Sequence, residues 1–236
     1  MLKELIQYLM ELKRPEIVEQ DGKVYSTSGL KQLNKEQPVE AMNIRSLSGL
    51  VDYIKSNFDH ERKVMIHIES PTTVRLYDSL NGVNDRRNYI TADAMLPTIT
   101  FERHMDREEF NIMLQACFVN NGHKESVLKF IGSIVEDNSV ILDDDGISQK
   151  VTARTGIASL GLSEVPNPVG LKPFRTFVEV GQPESEFVLR LREGGKVGLF
   201  EADGGAWELN AMQNIREYFN DNLKELIEGG KVIIVA

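Results

Sequence analysis

Hydrophobic periodicity in this chain switches between about 3.6 and 2, and never in regular alternation. That irregular order limits the fold more than any motif does. A helical stripe recurs five times. Leu2, Leu5, Ile6, Leu9 and Leu12 form the first, which stops before Pro15. Leu47, Leu50, Val51, Ile54 and Phe58 form the second, behind Ser46 as a candidate N-cap. Phe110, Met113, Leu114, Cys117 and Phe118 form the third, and Asp106 with Glu109 before it has the spacing of a capping box. After Asn121-Gly122 come Val127, Leu128, Ile131, Ile134 and Val135. The fifth runs from about Ala206 to Glu228 with Trp207, Ala211, Ile215, Tyr218, Phe219 and Leu226 inward, and leaves through Gly229-Gly230.

Between these stripes the period is two. Val64, Ile66 and Ile68, then Val74 and Leu76 beyond Ser70-Pro71, read as two strands around a tight turn. Tyr89 to Ala94 and Thr98 to Phe101 are further strands. Two hairpins are expected, one around Asp145-Gly146 and one joining Phe187–Arg192 to Lys196–Glu201 across Gly194-Gly195. Val232 to Val235 closes as a strand. Weak strands lie between the first two helices. Without βαβ alternation a doubly wound parallel sheet fits poorly, and the expected class is α+β, mainly antiparallel sheets with about five amphipathic helices. It is read as a single unit with possible subdomains 1–138 and 139–236.

Four of the eight prolines, Pro166, Pro168, Pro173 and Pro183, crowd into one segment. Proline fixes φ and lacks the amide donor, so this stretch is no central strand. It reads as an extended connection holding a short strand, Phe174 to Val180. Its apolar residues must be buried somewhere, either on the chain itself or on a second subunit. The candidate oligomer contacts are Pro168, Leu171, Phe174 and Phe177.

Charge narrows the partners. Acidic residues outnumber basic ones 36 to 27, a net charge of −9. A nucleic-acid footprint over the whole surface is therefore not expected. One cysteine allows no internal disulfide, which fits a reducing cytoplasm. The first residues alternate charged and apolar and lack the continuous apolar core of a signal peptide. No run approaches the roughly 20 apolar residues of a membrane span.

The chemistry-bearing residues form few patterns. His60, His67, His104 and His123 make no paired-ligand motif, so no zinc site is expected. Asp143 and Asp145 suit positions 3 and 5 of a calcium loop with Gly146 at 6, but Ile141 and Thr152 then stand at positions 1 and 12, where carboxylates belong. Gly156 and Gly161 have the spacing of a phosphate loop, but Leu162 replaces its lysine. Nothing implies a cofactor. Glu201 and Asp203, two apart before Gly204-Gly205 and Trp207, admit two readings. They could hold Mg²⁺ for hydrolysis. Alternatively Asp203 caps the last helix, the glycines allow the turn, and Trp207 anchors a core. Arg154, Lys172 and Arg175 are candidates to converge on an anion. The candidate ligand-binding set is Arg154, Arg175, Glu201, Asp203 and Trp207, with no catalytic or metal-ligating residue assigned.

The runs VPNPVGLKPFRTFVEVGQPESEFVLRLR and GLFEADGGAW, with MDREEFNIMLQACFV after LPTITF, resemble a phage and prophage family of unknown function, the YfdQ-like proteins. The resemblance runs from about Val64 onward. Its signature positions here are Pro166, Asn167, Pro168, Arg175, Phe177, Glu201, Asp203, Gly204, Gly205 and Trp207. It implies a phage setting near early genes and carries no catalytic residues. The expected function is thus a cytoplasmic, homo-oligomeric accessory protein that binds a host factor, a phage factor or a small ligand. The alternatives are a Mg²⁺-dependent hydrolase or nuclease using Glu201 and Asp203, or a virion component.

Overall fold

The computed structural model describes residues 2–11, 16–20, 23–26, 40–58, 63–80, 85–133, 141–144, 149–152, 154–155, 158–159, 163–164, 167–192 and 194–236. In chain order its elements are α1 (Leu2–Glu11), β1 (Ile17–Gln20), β2 (Lys23–Ser26), β3 (Met42–Ile44), α2 (Leu47–Ser56), β4 (Val64–Ser70), β5 (Thr73–Asp78), β6 (Asn88–Asp93), β7 (His104–Met105), α3 (Arg107–Cys117), α4 (Gly122–Ser133), β8 (Ile141–Asp144), β9 (Gln149–Thr152), β10 (Arg154–Thr155), β11 (Ala158–Ser159), β12 (Ser163–Glu164), β13 (Val169–Leu171), β14 (Ser185–Arg192), β15 (Lys196–Glu201), α5 (Ala206–Asn222), α6 (Lys224–Glu228) and β16 (Val232–Val235). The class is α+β with mostly antiparallel sheets.

The chain divides into two compact units, Met1–Val39 and Glu40–Ala236. In the first, α1 forms as its stripe predicts, and β1 and β2 make an antiparallel hairpin. The expectation that this helix buries its stripe is corrected at Leu5 and Ile6; the side chains of Leu2, Leu9 and Leu12 lie outside the described residues. Leu5 and Ile6 are exposed, as are Ile17, Val18 and Tyr25 of the hairpin.

The second unit holds two cores. A five-stranded sheet, ordered β16-β4-β5-β6-β3, packs one face on α2 and α5. Its β16–β4 and β3–β6 pairs are parallel and the others antiparallel. Val64, Ile66 and Ile68 meet Val74 and Leu76 across the register and fall on the buried face, as period two requires. A four-stranded antiparallel sheet, β13-β14-β15-β7, buries Phe187, Leu189, Val197 and Leu199 against α3 and α4. Both cores draw on residues either side of position 138, so a boundary there would cut each of them.

Local signals explain most helix ends. Ser46 caps α2 by accepting from the Gly49 amide at 3.2 Å. Asn121 does the same for α4, its Oδ1 accepting from the Lys124 amide at 2.8 Å. Asp106 stands at the N-cap of α3 but makes no side-chain cap bond, so the capping box is present in spacing only. The buried Lys124 ammonium closes the other end of α3, donating to the carbonyls of Phe118 at 2.7 Å and Gln115 at 3.1 Å.

Four further expectations are corrected. Phe58 is not on the buried face of α2, because Asn57 ends the helix in the left-handed region and leaves Phe58 83% exposed. Residues 98–101 form no strand. Pro97 and the positive φ of Glu102 bracket them, and Ile99 and Phe101 pack on the second core from a loop. The last helix is two, since Leu223 turns inward and separates α5 from α6. Residues 174–180 are not a strand, for reasons given below. Leu12, Ile134, Val135 and the Asp145-Gly146 turn lie outside the described residues, although β8 and β9 pair antiparallel on either side of that turn. Among the described residues no helix is long and apolar enough to cross a membrane.

Candidate functional site

The proline-rich connection runs between the two cores and belongs to both. Leu171, in β13, is fully buried in the core under α3 and α4. Phe177, six residues on, is 2% exposed in the core under α2 and α5. Leu171 and Phe177 therefore have their partners within the chain, not on a neighbour as the oligomer-contact reading required. Pro168 is exposed and Phe174 half-buried.

Side chains replace strand pairing along this segment. Asn167 docks on β14 with both ends of its amide, donating to the Leu189 carbonyl at 3.0 Å and accepting from the Leu189 amide at 2.7 Å. The Gln182 amide works the same way across a turn. Its Oε1 accepts from the amides of Arg175 (3.0 Å) and Thr176 (3.2 Å), and its Nε2 donates to the carbonyl of Phe177 at 3.0 Å. The hydroxyl of Thr176 donates to the Pro71 carbonyl in the β4–β5 turn. The Glu179 carboxylate accepts from the Leu47 and Ser48 amides at 2.7 and 2.8 Å, where the first turn of α2 presents free donors and the positive end of its dipole. Asn214 of α5 donates to the Gly181 carbonyl at 2.7 Å. A backbone serviced this way needs no ladder, which is why the expected strand is absent.

Arg175 is the centre of the segment. The residue is 7% exposed. Nη1 donates to Glu201 Oε1 and Nη2 to the Ser185 hydroxyl. The guanidinium carbon lies 4.0 Å from the centroid of the Trp207 ring, a cation–π stack, and under 6 Å from the rings of Phe101 and Phe187. Burial lowers the affinity of Arg175 for its proton. The charges of Glu201, Asp203 and Glu208 work against that, and the side chain stays a cation. Burial also pushes the Asp203 carboxyl up. The Ser185 hydroxyl, the Gly205 amide, the Arg175 charge and the Trp207 amide outweigh it, and Asp203 titrates below the ordinary carboxylate range.

Four of the five candidate ligand-binding residues, Arg175, Glu201, Asp203 and Trp207, thus come together. Arg154 belongs to β10 in the short β10–β11 pair, and its side chain lies outside the described residues. Lys172 does not join Arg175; its ammonium is 3.6 Å from Glu184. Trp207 is a half-buried lid on a guanidinium and not a core anchor. Asp203 acts just ahead of α5. Its Oδ1 accepts from the amide of Gly205, and that glycine is the N-cap, at φ 83°.

Most polar atoms of the cluster are paired within it, while Arg175 Nε and Asp203 Oδ2 are buried without a hydrogen-bond partner among the described residues. Glu201 is bonded to the Arg175 guanidinium, and Asp203, which also feels that charge, accepts from the Gly205 amide through Oδ1. No group of three or more metal-ligating side chains occurs among the described residues. Sequence reasoning missed Glu179, Gln182, Ser185, Phe101 and Phe187. Ser185 and Phe187 carry a signal, since both fall on the inward alternation of β14. Glu179 and Gln182 carry none, because their partners are distant or lie around a loop. The class defined at this point is an α+β protein whose two cores share one connecting segment built around a stacked, buried arginine. Comparison of the chain with family models, with curated proteins and with solved structures finds no match.

Proposed function

We propose that this is a phage- or prophage-encoded accessory protein that acts in the host cytoplasm by self-assembly and by binding a host factor, a phage factor or a small ligand. The observation that carries the non-catalytic part of this reading is the commitment of Glu201 and Trp207 to Arg175. The residues best suited to chemistry hold one another. Glu201 bonds to Arg175, Arg175 stacks on Trp207, and Asp203 accepts from Gly205. The resemblance of residues 165–192 and 198–207 to the YfdQ-like family supports the phage setting.

Self-assembly draws support from the edge of the five-stranded sheet. β16 reads Val-Ile-Ile-Val, with no charge, proline or bulge to blunt it. It pairs on one side only, with β4, among the described residues. Ile233 and Val235 are 52% and 42% exposed. Natural proteins protect such edges or pair them.

Light scattering after size exclusion tests the assembly. A mass of two or more chains at micromolar concentration is expected, falling to one chain in Ile233→Lys. A one-chain mass for the unaltered protein refutes self-assembly. Nucleic acid incubated with the protein and Mg²⁺ tests the rest. Cleavage that disappears in Glu201→Gln overturns the non-catalytic reading.

A further inference from the structure

The four-stranded sheet has a second face, opposite α3 and α4. Alternation along β14 directs Val188, Arg190 and Arg192 to it, and β15 adds Lys196, Gly198 and Phe200. The register places Arg192 opposite Lys196, Arg190 opposite Gly198 and Val188 opposite Phe200. Gly198 faces His104 of β7 on its other side. Three fixed cations and an imidazole therefore share one end of this face in a chain whose net charge is −9. Directly opposed like charges repel, and among the described residues neither Arg192 nor Lys196 has an ion-pair partner. The acidic residue of the face, Glu186, sits at the far end of β14, and Glu193 follows Arg192 in the sequence.

Arg190 and His104 are half-buried, and Arg190 Nη1 and His104 Nε2 lie beneath the surface without a hydrogen bond among the described residues. Beside them is aromatic surface. The half-buried Phe200 ring leans over Gly198, where an added Cβ would come within 2.9 Å of it, and its centroid is 5.5 Å from that of His104. Arg192 and Lys196, two exposed cations without ion-pair partners among the described residues, match with the neighbouring half-buried Phe200 ring a ligand that alternates phosphates with unstacked bases. A duplex hides its bases, and this face presents no helix to enter a groove.

We propose that this face binds single-stranded nucleic acid, with Arg190, Arg192 and Lys196 on phosphates and Phe200 and His104 against bases. The acidity of the whole chain argues against a footprint over its entire surface, not against one local patch. This deepens the binding reading above by naming the partner's class, and it does not depend on self-assembly.

Fluorescence anisotropy of a labelled oligothymidylate of about 20 nucleotides tests it, from about 50 to about 200 mM salt. The unaltered protein should bind, with a log–log salt slope of about −2 for three phosphate contacts on a single strand. Arg192→Glu with Lys196→Glu should weaken binding about tenfold or more and flatten the slope by about 1.4. Both side chains are exposed, so the far-ultraviolet circular dichroism should not change. Phe200→Leu should weaken binding about fivefold or more, the lower end of what one stacked base contributes, without altering the slope. Duplex of the same length should bind more weakly. Absence of binding at the lowest salt, affinity unchanged in the charge-reversed variant, or equal affinity for duplex overturns the proposal. A one-chain mass with oligonucleotide binding refutes self-assembly and leaves this face standing. An assembled protein that ignores the oligonucleotide does the reverse.

Discussion

Arg175→Ala is the sharpest test of the Arg175 cluster, because several separable contributions are lost together. The stack on Trp207 at 4.0 Å contributes about 1–2 kcal/mol in a partly desolvated setting. Ser185 is 3% exposed and loses the bond from Arg175, a cost of about 1 kcal/mol. The ion pair with Glu201 is discounted for screening because that side chain is 32% exposed, and contributes about 0.5 kcal/mol. The guanidinium's approach to the rings of Phe101 and Phe187 adds about 1 kcal/mol. Releasing a buried guanidinium from its desolvation penalty returns about 1–2 kcal/mol. The net expectation is a loss of about 1.5–3.5 kcal/mol, or about 3–14 °C in Tm for a unit of this size. Urea unfolding followed by the fluorescence of Trp207, the chain's single tryptophan, measures it directly. Arg175→Lys should recover less than half of the loss, because an ammonium keeps the charge but loses the planar fork and the stack. A change under about 0.5 kcal/mol for Arg175→Ala, or full recovery by lysine, refutes the assignment of the cluster.

Glu179→Ala should lower stability by about 1 kcal/mol in the same assay, because two amides at the start of α2 lose their acceptor; an unchanged midpoint would show that those bonds contribute nothing. Leu114→Asp should abolish folding, since Leu114 is 0% exposed and an unpaired buried carboxylate costs as much as a domain's whole margin; a soluble variant with unchanged Tm would remove Leu114 from the core. Stability should also fall with acid in two stages, read as the urea midpoint against pH. Burial and the Arg192 charge hold the folded His104 below its unfolded value, so stability should drop as pH passes below about 6.5, and His104→Gln should remove that stage. The Asp203 carboxyl is depressed in the folded state, so its contribution is present above about 3.9 and is lost as pH falls through the lower folded value.

What was legible in the sequence was local. The stripe of α3, the alternation of β4 and β5 and the glycine turn between β14 and β15 depend on neighbours within a few residues, and each forms where its pattern lies. The serine cap of α2 is local too. The second capping contribution to α2 was not. Glu179 is more than 130 residues from the amides it accepts from, and no short-range pattern encodes that distance. Trp207 was misread for a related reason. A large aromatic at the start of an amphipathic helix looks like core, and only the arrival of Arg175, 32 positions upstream, makes it a stacking surface. Residues 174–180 alternate well enough to look like a strand, but Gln182 takes the amides a ladder would have used.

The connection that looked most available for a partner is therefore the one most committed to its own chain. Prolines remove donors there and stiffen the path, which lowers the entropy lost on ordering it. The donors and acceptors that remain are met by Asn167, Gln182 and Asn214. Since Leu171 and Phe177 lie in different cores, ordering this one segment engages both. A partner would have to displace those contacts to use it. The surfaces without such commitments lie elsewhere: the open β16 edge with Ile233 and Val235, and the basic outer face around Arg190, Arg192 and Lys196. The two are chemically distinct, one apolar with free backbone groups and the other cationic beside an aromatic. They belong to different sheets. Charge reversal on one and Ile233→Lys on the other should thus be independent, with additive effects and no cross-talk between assembly and oligonucleotide binding. Loss of oligonucleotide binding in Ile233→Lys would show instead that the binding face is completed only by assembly.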